Sequence, residues 1–168
     1  YSLIDMVVVN LYPFESTISK PNCKYDDAIE NIDIGGPTML RAAAKNHNRV
    51  TVITEPKDYE IIVKEINENN QTSINTRRKL AIKVFQKISE YDSMIHHYLM
   101  SHENVEESTL PSKINITLEK INDLRYGENP HQNASLYNIK YPRVEGFNFE
   151  QLAGKGLSYN NLVDTESA

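Results

Sequence analysis

Two charged side chains flank one short glycine-rich stretch. Asp33 stands just before Gly35-Gly36-Pro37-Thr38-Met39-Leu40-Arg41-Ala42-Ala43-Ala44, and Lys45 closes it. A carboxylate and an ammonium at the two ends of one element are groups from which acid–base chemistry is built, provided both face one cleft. Gly35 and Gly36 permit a sharp turn, or a close backbone approach by a ligand with no side chain in the way. A plainer reading of the same residues stays open. Asp before a glycine turn is commonly a turn or capping residue, and Lys at a helix end is commonly solvated. Asn10 and Tyr12 follow the apolar run Met6-Val7-Val8-Val9. In open parallel sheets ligands sit beyond the carboxyl ends of strands, so both face a ligand if that run is such a strand. The alternative makes Tyr12 and Phe14 core aromatics around the Pro13 turn.

A third polar group lies in Leu124-Arg125-Tyr126-Gly127-Glu128-Asn129-Pro130-His131-Gln132. Arg125 has the planar fork that recognises phosphate in two places at once, and His131 can act as an acid–base group. The other reading is a polar turn between strands. His96, His97 and His102 give no metal signature. Neighbouring helical residues point in different directions, and no Cys or carboxylate stands at ligand spacing.

The elements that would hold these residues follow from periodicity. Met6 to Leu11 is a continuous β-branched run, as expected of a parallel strand buried on both faces. Tyr25 to Ile32 has helical spacing with Asp26 and Asp27 at its start. Gly35-Gly36 reads as a tight turn, with Pro37 at the first helical position and Met39–Ala44 as helix. Val50-Thr51-Val52-Ile53-Thr54 is a second strand. Tyr59, Ile62, Val63 and Ile66 mark an amphipathic helix, and the longest helical pattern runs from Thr76 to about Leu99. Beyond a polar linker at 101–113, Ile114 to Leu118 and the region near Ala134 to Tyr137 read as strands. Pro142 to Asn148 is irregular, and the last residues read as a loop and a first helical turn. Strand and helix in alternation predict an α/β architecture with a parallel sheet.

Composition sets the outer bounds. At 168 residues the chain is one domain or one domain and a piece. A net charge of −5 offers no general attraction to nucleic acid or anionic membrane. No apolar run is long enough for a bilayer span. The single Cys23 excludes an internal disulfide and fits a reducing compartment, so the expected location is cytoplasmic. About 40 to 50 residues after the linker are too few for an independent core. The chain is therefore expected to begin in mid-fold and to end shortly after its second region starts.

Five segments together carry a family resemblance. They are Val9-Asn10-Leu11-Tyr12-Pro13-Phe14, Ile32-Asp33-Ile34-Gly35-Gly36, Leu40-Arg41-Ala42-Ala43-Ala44-Lys45-Asn46-His47, Leu124 to Gln132, and Leu157-Ser158-Tyr159-Asn160-Asn161. In this order the chain resembles the bifunctional purine biosynthesis proteins, which join an IMP cyclohydrolase domain to an AICAR transformylase domain.

The resemblance implies a methylglyoxal-synthase-like parallel sheet between helices, plus the start of a second α/β domain. It implies a cyclohydrolase domain at 1–100, a linker at 101–113 and the start of a transformylase domain at 114–168. By motif position Tyr12, Asp33 and Lys45 would be catalytic, with Asn10 and the Gly35-Gly36 backbone against the base of the nucleotide. Arg125 and Tyr126 would contact AICAR, with Asn161 another substrate residue. Ring closure of formyl-AICAR to IMP would need no cofactor and no metal. The complete transformylase would take 10-formyltetrahydrofolate as co-substrate, in a homodimer with its sites between subunits. The family's first strands, its phosphate-binding loop and a Lys-Thr segment come before the residues matched here, and its formyl-transfer Lys-His pair comes after them. The alternative from another class is a catalytically silent α/β module that binds a purine nucleotide or forms a dimer surface. The expected outcome of mixing the chain with AICAR and 10-formyltetrahydrofolate is no formyl transfer; chromatographic detection of formyl-AICAR would refute it.

Overall fold

The computed structural model describes residues 3–103, 112–141 and 151–167. The chain divides into two compact units, Tyr1–Tyr98 and Leu99–Ala168.

In the first unit, β1 (Met6–Val8) pairs in parallel with β2 (Thr51–Ile53), with Val7 opposite Val52. A parallel pair needs a crossover, and here it contains three helices: α1 (Phe14–Ile18), α2 (Tyr25–Glu30) and α3 (Gly35–Lys45). After β2 come a single 3₁₀ turn at Pro56–Asp58, then α4 (Tyr59–Asn69) and the long α5 (Ile74–His102). The core is built from Leu40, Ala43 and Ala44 of α3, from Val50, Val52 and Ile53, from Ile62 of α4, and from Leu80, Ala81, Val84 and Ile88 of α5. Small alanines on α3 let it pack closely against the sheet, so its buried face is set by residue size as well as hydrophobicity.

Several expectations change in the folded chain. The first strand is shorter than Met6–Leu11, and Met6 and Val8 are exposed while Val7, Val9 and Leu11 pack on the core. β2 is its only strand partner among the described residues, so the β-branched run buries one face instead of two. The Gly35-Gly36 pair is not a turn before the helix. Both glycines are its first two residues, and Pro37 is the third. The helix starts early because the Asp33 carboxylate accepts the Gly36 N–H at 2.7 Å, the bond a capping side chain makes to an orphan helical donor. Pro37 is still tolerated, since the first four helical N–H groups lack intrahelical partners. The helix α1 carries no periodicity in its five residues and was not expected.

Polar contacts hold the helices on the sheet. Arg77 donates to the carbonyls of His47 and Asn48, each at 3.0 Å, tying the start of α5 to the end of α3. Lys83 of α5 bridges both oxygens of Asp58, at 2.6 and 2.7 Å, and reaches Glu55 at 3.3 Å. Lys57 beside Glu55 is the main cause holding that carboxyl below the usual range, with Lys83 adding to it. Ser73, just before α5, accepts the Thr76 N–H on its hydroxyl at 3.1 Å.

In the second unit β3 (Thr117–Leu124) and β4 (Ala134–Tyr141) form an antiparallel hairpin, with a register shift between Lys120 and Asn122. β3 therefore starts later and runs further than the Ile114–Leu118 alternation suggests. The closing helix α6 spans Tyr159–Ser167. Only Gly127 and Ser158 are buried among the described residues of 112–167. The irregular stretch expected at 142–148, and most of the expected linker, lie outside the described residues.

The start of α3 yields a stability test. A Cβ on Gly36 would stand 2.4 Å from Asp33 Oδ2, whereas one on Gly35 meets nothing within 4 Å. Gly→Ala inside a helix gains about 1 kcal/mol in propensity. Displacing a charged acceptor from a backbone N–H costs about 1.5–3 kcal/mol per bond. Gly36→Ala is therefore expected to lower the urea midpoint, and Gly35→Ala to leave it unchanged or raise it. A Gly36→Ala variant as stable as the parent would show that Asp33 does not hold the helix start.

Candidate functional site

The first candidate site lies beyond the carboxyl end of β1. There the strand hands over to Asn10, Leu11 and Tyr12, and the chain turns at Pro13 into α1. Asp33 joins this segment to α3. It is 9% exposed. Its Oδ1 accepts the Gly36 N–H and its Oδ2 accepts the Tyr12 N–H at 3.3 Å. A carboxylate has about four lone-pair sites, so two remain for a further donor after these bonds are made.

The residues expected from the sequence are therefore brought together unequally. The Tyr12 backbone, Asp33 and Gly36 are in direct contact. Tyr12 is 55% exposed. This leaves it free to meet a ligand and excludes the alternative in which Tyr12 is a core aromatic. Phe14 is that core aromatic, buried against the rings of Tyr91 and Tyr98. Asn10 donates from Nδ2 to the Tyr59 hydroxyl at 3.2 Å, which steers its amide toward the start of α4. Gly35 exposes its backbone beside Asp33, with open space where a Cβ would stand. Lys45 is exposed at the other end of α3. The helix rise sets about 15 Å along the axis between Gly35 and Lys45, and no ion pair joins Lys45 to Asp33.

The second candidate site is in the hairpin unit and is held mainly by backbone bonds. The nine-residue connection between β3 and β4 closes through Gly127 N–H to the Gln132 carbonyl at 2.9 Å and Gln132 N–H to the Asn129 carbonyl at 3.0 Å. A Cβ on Gly127 would press on Gln132 at 3.0 Å. The segment before α6 then pairs with the loop. Arg125 N–H donates to the Leu157 carbonyl at 2.8 Å, and Tyr159 N–H to the Tyr126 carbonyl at 3.1 Å. This brings Arg125, Tyr126 and Asn161 into one region. The Arg125 guanidinium lies over the Tyr126 ring, 4.9 Å from its centroid, which pre-orients the fork at little entropic cost. Asn161 accepts from the Ser158 N–H at 3.1 Å and the Ser158 hydroxyl at 3.0 Å. Ser158 precedes α6 and its hydroxyl accepts the Asn161 N–H at 3.4 Å, so Asn161, third in the helix, is the reciprocating partner of the cap. His131 is exposed in the hairpin connection.

Four participants escaped the sequence reading. Tyr91 was one more apolar position of a periodic helix, although a buried tyrosine needs a partner for its hydroxyl. Tyr59 was likewise read as a helix-face residue. Ser158 stands three residues before the expected site residue Asn161, the spacing of a capping box and a signal present in the sequence. Asn160 reaches the Glu128 carbonyl at 3.2 Å, a contact that only the fold reveals.

A family model described as AICARFT/IMPCHase bienzyme matches residues 43–168, and one described as MGS-like domain matches residues 2–38. The bifunctional purine biosynthesis protein PurH of Caldicellulosiruptor saccharolyticus is 54% identical over 170 residues, covering 99% of this chain and 33% of that protein. PurH of Bacillus cereus strain B4264 and of Bacillus anthracis are each 52% identical over 166 residues, covering 98% of this chain and 32% of theirs. The solved structure of ForH aligns with 55% of this chain and 48% of its own at 31% identity and a TM-score of 0.49. The chain spans about a third of the length of the curated relatives it matches. With three-quarters of its residues matched by one family model and the expected α/β arrangement present, the chain belongs to the AICARFT/IMPCHase bienzyme family.

Proposed function

We propose that the first unit carries the ring-closing chemistry of an IMP cyclohydrolase, acting on formyl-AICAR in purine biosynthesis. The observation that carries the reading is the pair of hydrogen bonds that the Asp33 carboxylate accepts from Tyr12 N–H and Gly36 N–H. It joins the end of a parallel strand to the start of a helix, a setting in which α/β folds bind ligands. The purine base would lie against Asn10 and the bare backbone of Gly35. The carboxamide nitrogen attacks the formyl carbon, the new C–N bond closes the second ring, and the formyl oxygen leaves as water.

Negative charge develops on that oxygen during attack. The Tyr12 phenol, on the segment that Asp33 binds, is a donor suited to stabilise it; the Lys45 ammonium, at the far end of α3, would serve a part of the substrate that extends along the helix. Asp33 has lone pairs left to take a proton from the nitrogen. Much of the acceleration would come from holding one substrate folded on itself.

For the second unit we propose part of the AICAR-binding surface of a transformylase, with Arg125 and Tyr126 on the nucleotide. The engagement of the Asn161 side chain with Ser158 at the start of α6 favours a positioning role for it over direct substrate contact. The co-substrate would be 10-formyltetrahydrofolate, the assembly a homodimer and the location cytoplasmic. The proposed boundaries are 1–100, 101–113 and 114–168.

The test follows IMP formation from formyl-AICAR by ultraviolet absorbance, with IMP affinity measured by calorimetry. Lys45→Ala is expected to lower turnover by at least about tenfold; unchanged turnover removes Lys45 from the site. Gly35→Ala is expected to weaken IMP binding while the chain stays folded, because its Cβ occupies space that is open in the unliganded protein. A folded chain that neither converts formyl-AICAR nor binds IMP would sink the reading.

A further inference from the structure

Tyr91 lies on α5, 58 residues after Asp33, and is 4% exposed. Its ring packs edge-on against Phe14, with centroids 6.2 Å apart. Its hydroxyl accepts the Asp33 N–H at 2.8 Å and donates to the Asn31 carbonyl at 3.3 Å. One phenol thus satisfies two backbone groups of the short segment between α2 and α3. That segment belongs to neither helix, since α2 ends at Glu30 and α3 begins at Gly35. Asn31 N–H and Ile32 N–H bond back to the carbonyls of Ala28 and Ile29 in α2, whereas the Asp33 N–H is held by the Tyr91 hydroxyl.

The consequences run forward through Asp33. Its main chain is held by Tyr91, and its side chain holds Tyr12 and Gly36. Rotating the Asp33 peptide would swing the carboxylate away from both N–H groups. We propose that Tyr91 is a positioning residue for the candidate site, its hydroxyl fixing the Asp33 backbone so that the carboxylate bridges Tyr12 and the start of α3. The effect on ligand rests on the ring-closure reading above; the effect on Asp33 does not. Burial pushes the phenol's ionisation up, so at neutral pH the hydroxyl keeps the proton it donates to Asn31.

Tyr91→Phe is the informative variant. It retains the ring against Phe14 and removes only the hydroxyl. Ile88→Val, in the core on the same helix, controls for general loss of stability. Two quantities are measured on the full 168-residue chain: native-state amide hydrogen exchange, and the affinity for IMP. In Tyr91→Phe the Asp33 and Gly36 amides are expected to exchange about threefold to tenfold faster than any change at β2 accounts for, the range for one hydrogen bond. IMP affinity is expected to fall by a similar factor. In Ile88→Val any acceleration should be shared by all core amides.

Unchanged Asp33 exchange in Tyr91→Phe, or acceleration no more local than in Ile88→Val, would overturn the proposal and leave Tyr91 a packing residue. Local acceleration with unchanged IMP affinity would equally overturn a role in the site. If the parent chain binds no IMP, the ring-closure reading falls, and the exchange data alone decide whether Tyr91 fixes Asp33.

Discussion

A buried carboxylate held by backbone N–H groups from two elements is the constraint on which the first unit turns. Asp33 sits between α2 and α3, and its two oxygens bind Gly36 N–H and Tyr12 N–H. Burying a charge is costly unless hydrogen bonds replace its water. Here the partners are main-chain groups that would otherwise be orphans, one at a helix start and one in the chain leaving β1. The arrangement also dictates residue type nearby. Gly36 has no room for a Cβ against the Asp33 side chain, and Asp33 depends in turn on the Tyr91 hydroxyl. A group read as a candidate acid or base is thus also the fastener between strand end and helix start. The two roles are compatible, because a carboxylate can accept more than the two bonds made here.

The rest of the unit keeps that fastener in register. The parallel pair β1–β2 sets where Asn10 and Tyr12 leave the sheet. The alanine-lined face of α3 packs closely on β2, and α5 covers the same core with Leu80, Val84 and Ile88. Charged contacts fix the orientation of α5. Arg77 reaches the turn after α3, and Lys83 reaches Asp58 and Glu55 after β2. Because Tyr91 lies further along the same helix, a slip of α5 would be felt at Asp33. Packing of the helix and geometry of the site are therefore coupled through one hydroxyl.

The second unit follows different physics. Its hairpin and helix bury almost nothing among the described residues, and order comes from hydrogen bonds within short segments. Isolated two-stranded hairpins are marginal in water. The extra rungs from Arg125 N–H to Leu157 and from Tyr159 N–H to Tyr126 tie the hairpin connection to the start of α6. The cap between Ser158 and Asn161 fixes that start. Arg125 is presented over Tyr126, exposed and pre-oriented, as anion recognition requires.

The sequence alone determined the types of the longer elements and the residues worth watching. Periodicity located α2, α4, α5 and both parallel strands, because each buries a face whose spacing is written in residue order. The five motifs, taken together, pointed to the family. What residue order could not carry was anything depending on partners distant along the chain. The exposed face of β1, the roles of Tyr91 and Tyr59, and the bond of Asp33 to Tyr12 all needed folded neighbours. Even the start of α3 was misjudged, because a carboxylate two residues before Gly35 extends the helix over glycines that by themselves suggest a turn. Local pattern fixes which surface must be buried. Only tertiary contacts decide which polar groups meet, since a hydrogen bond depends on angstroms between residues as far apart in the chain as the 58 positions from Asp33 to Tyr91.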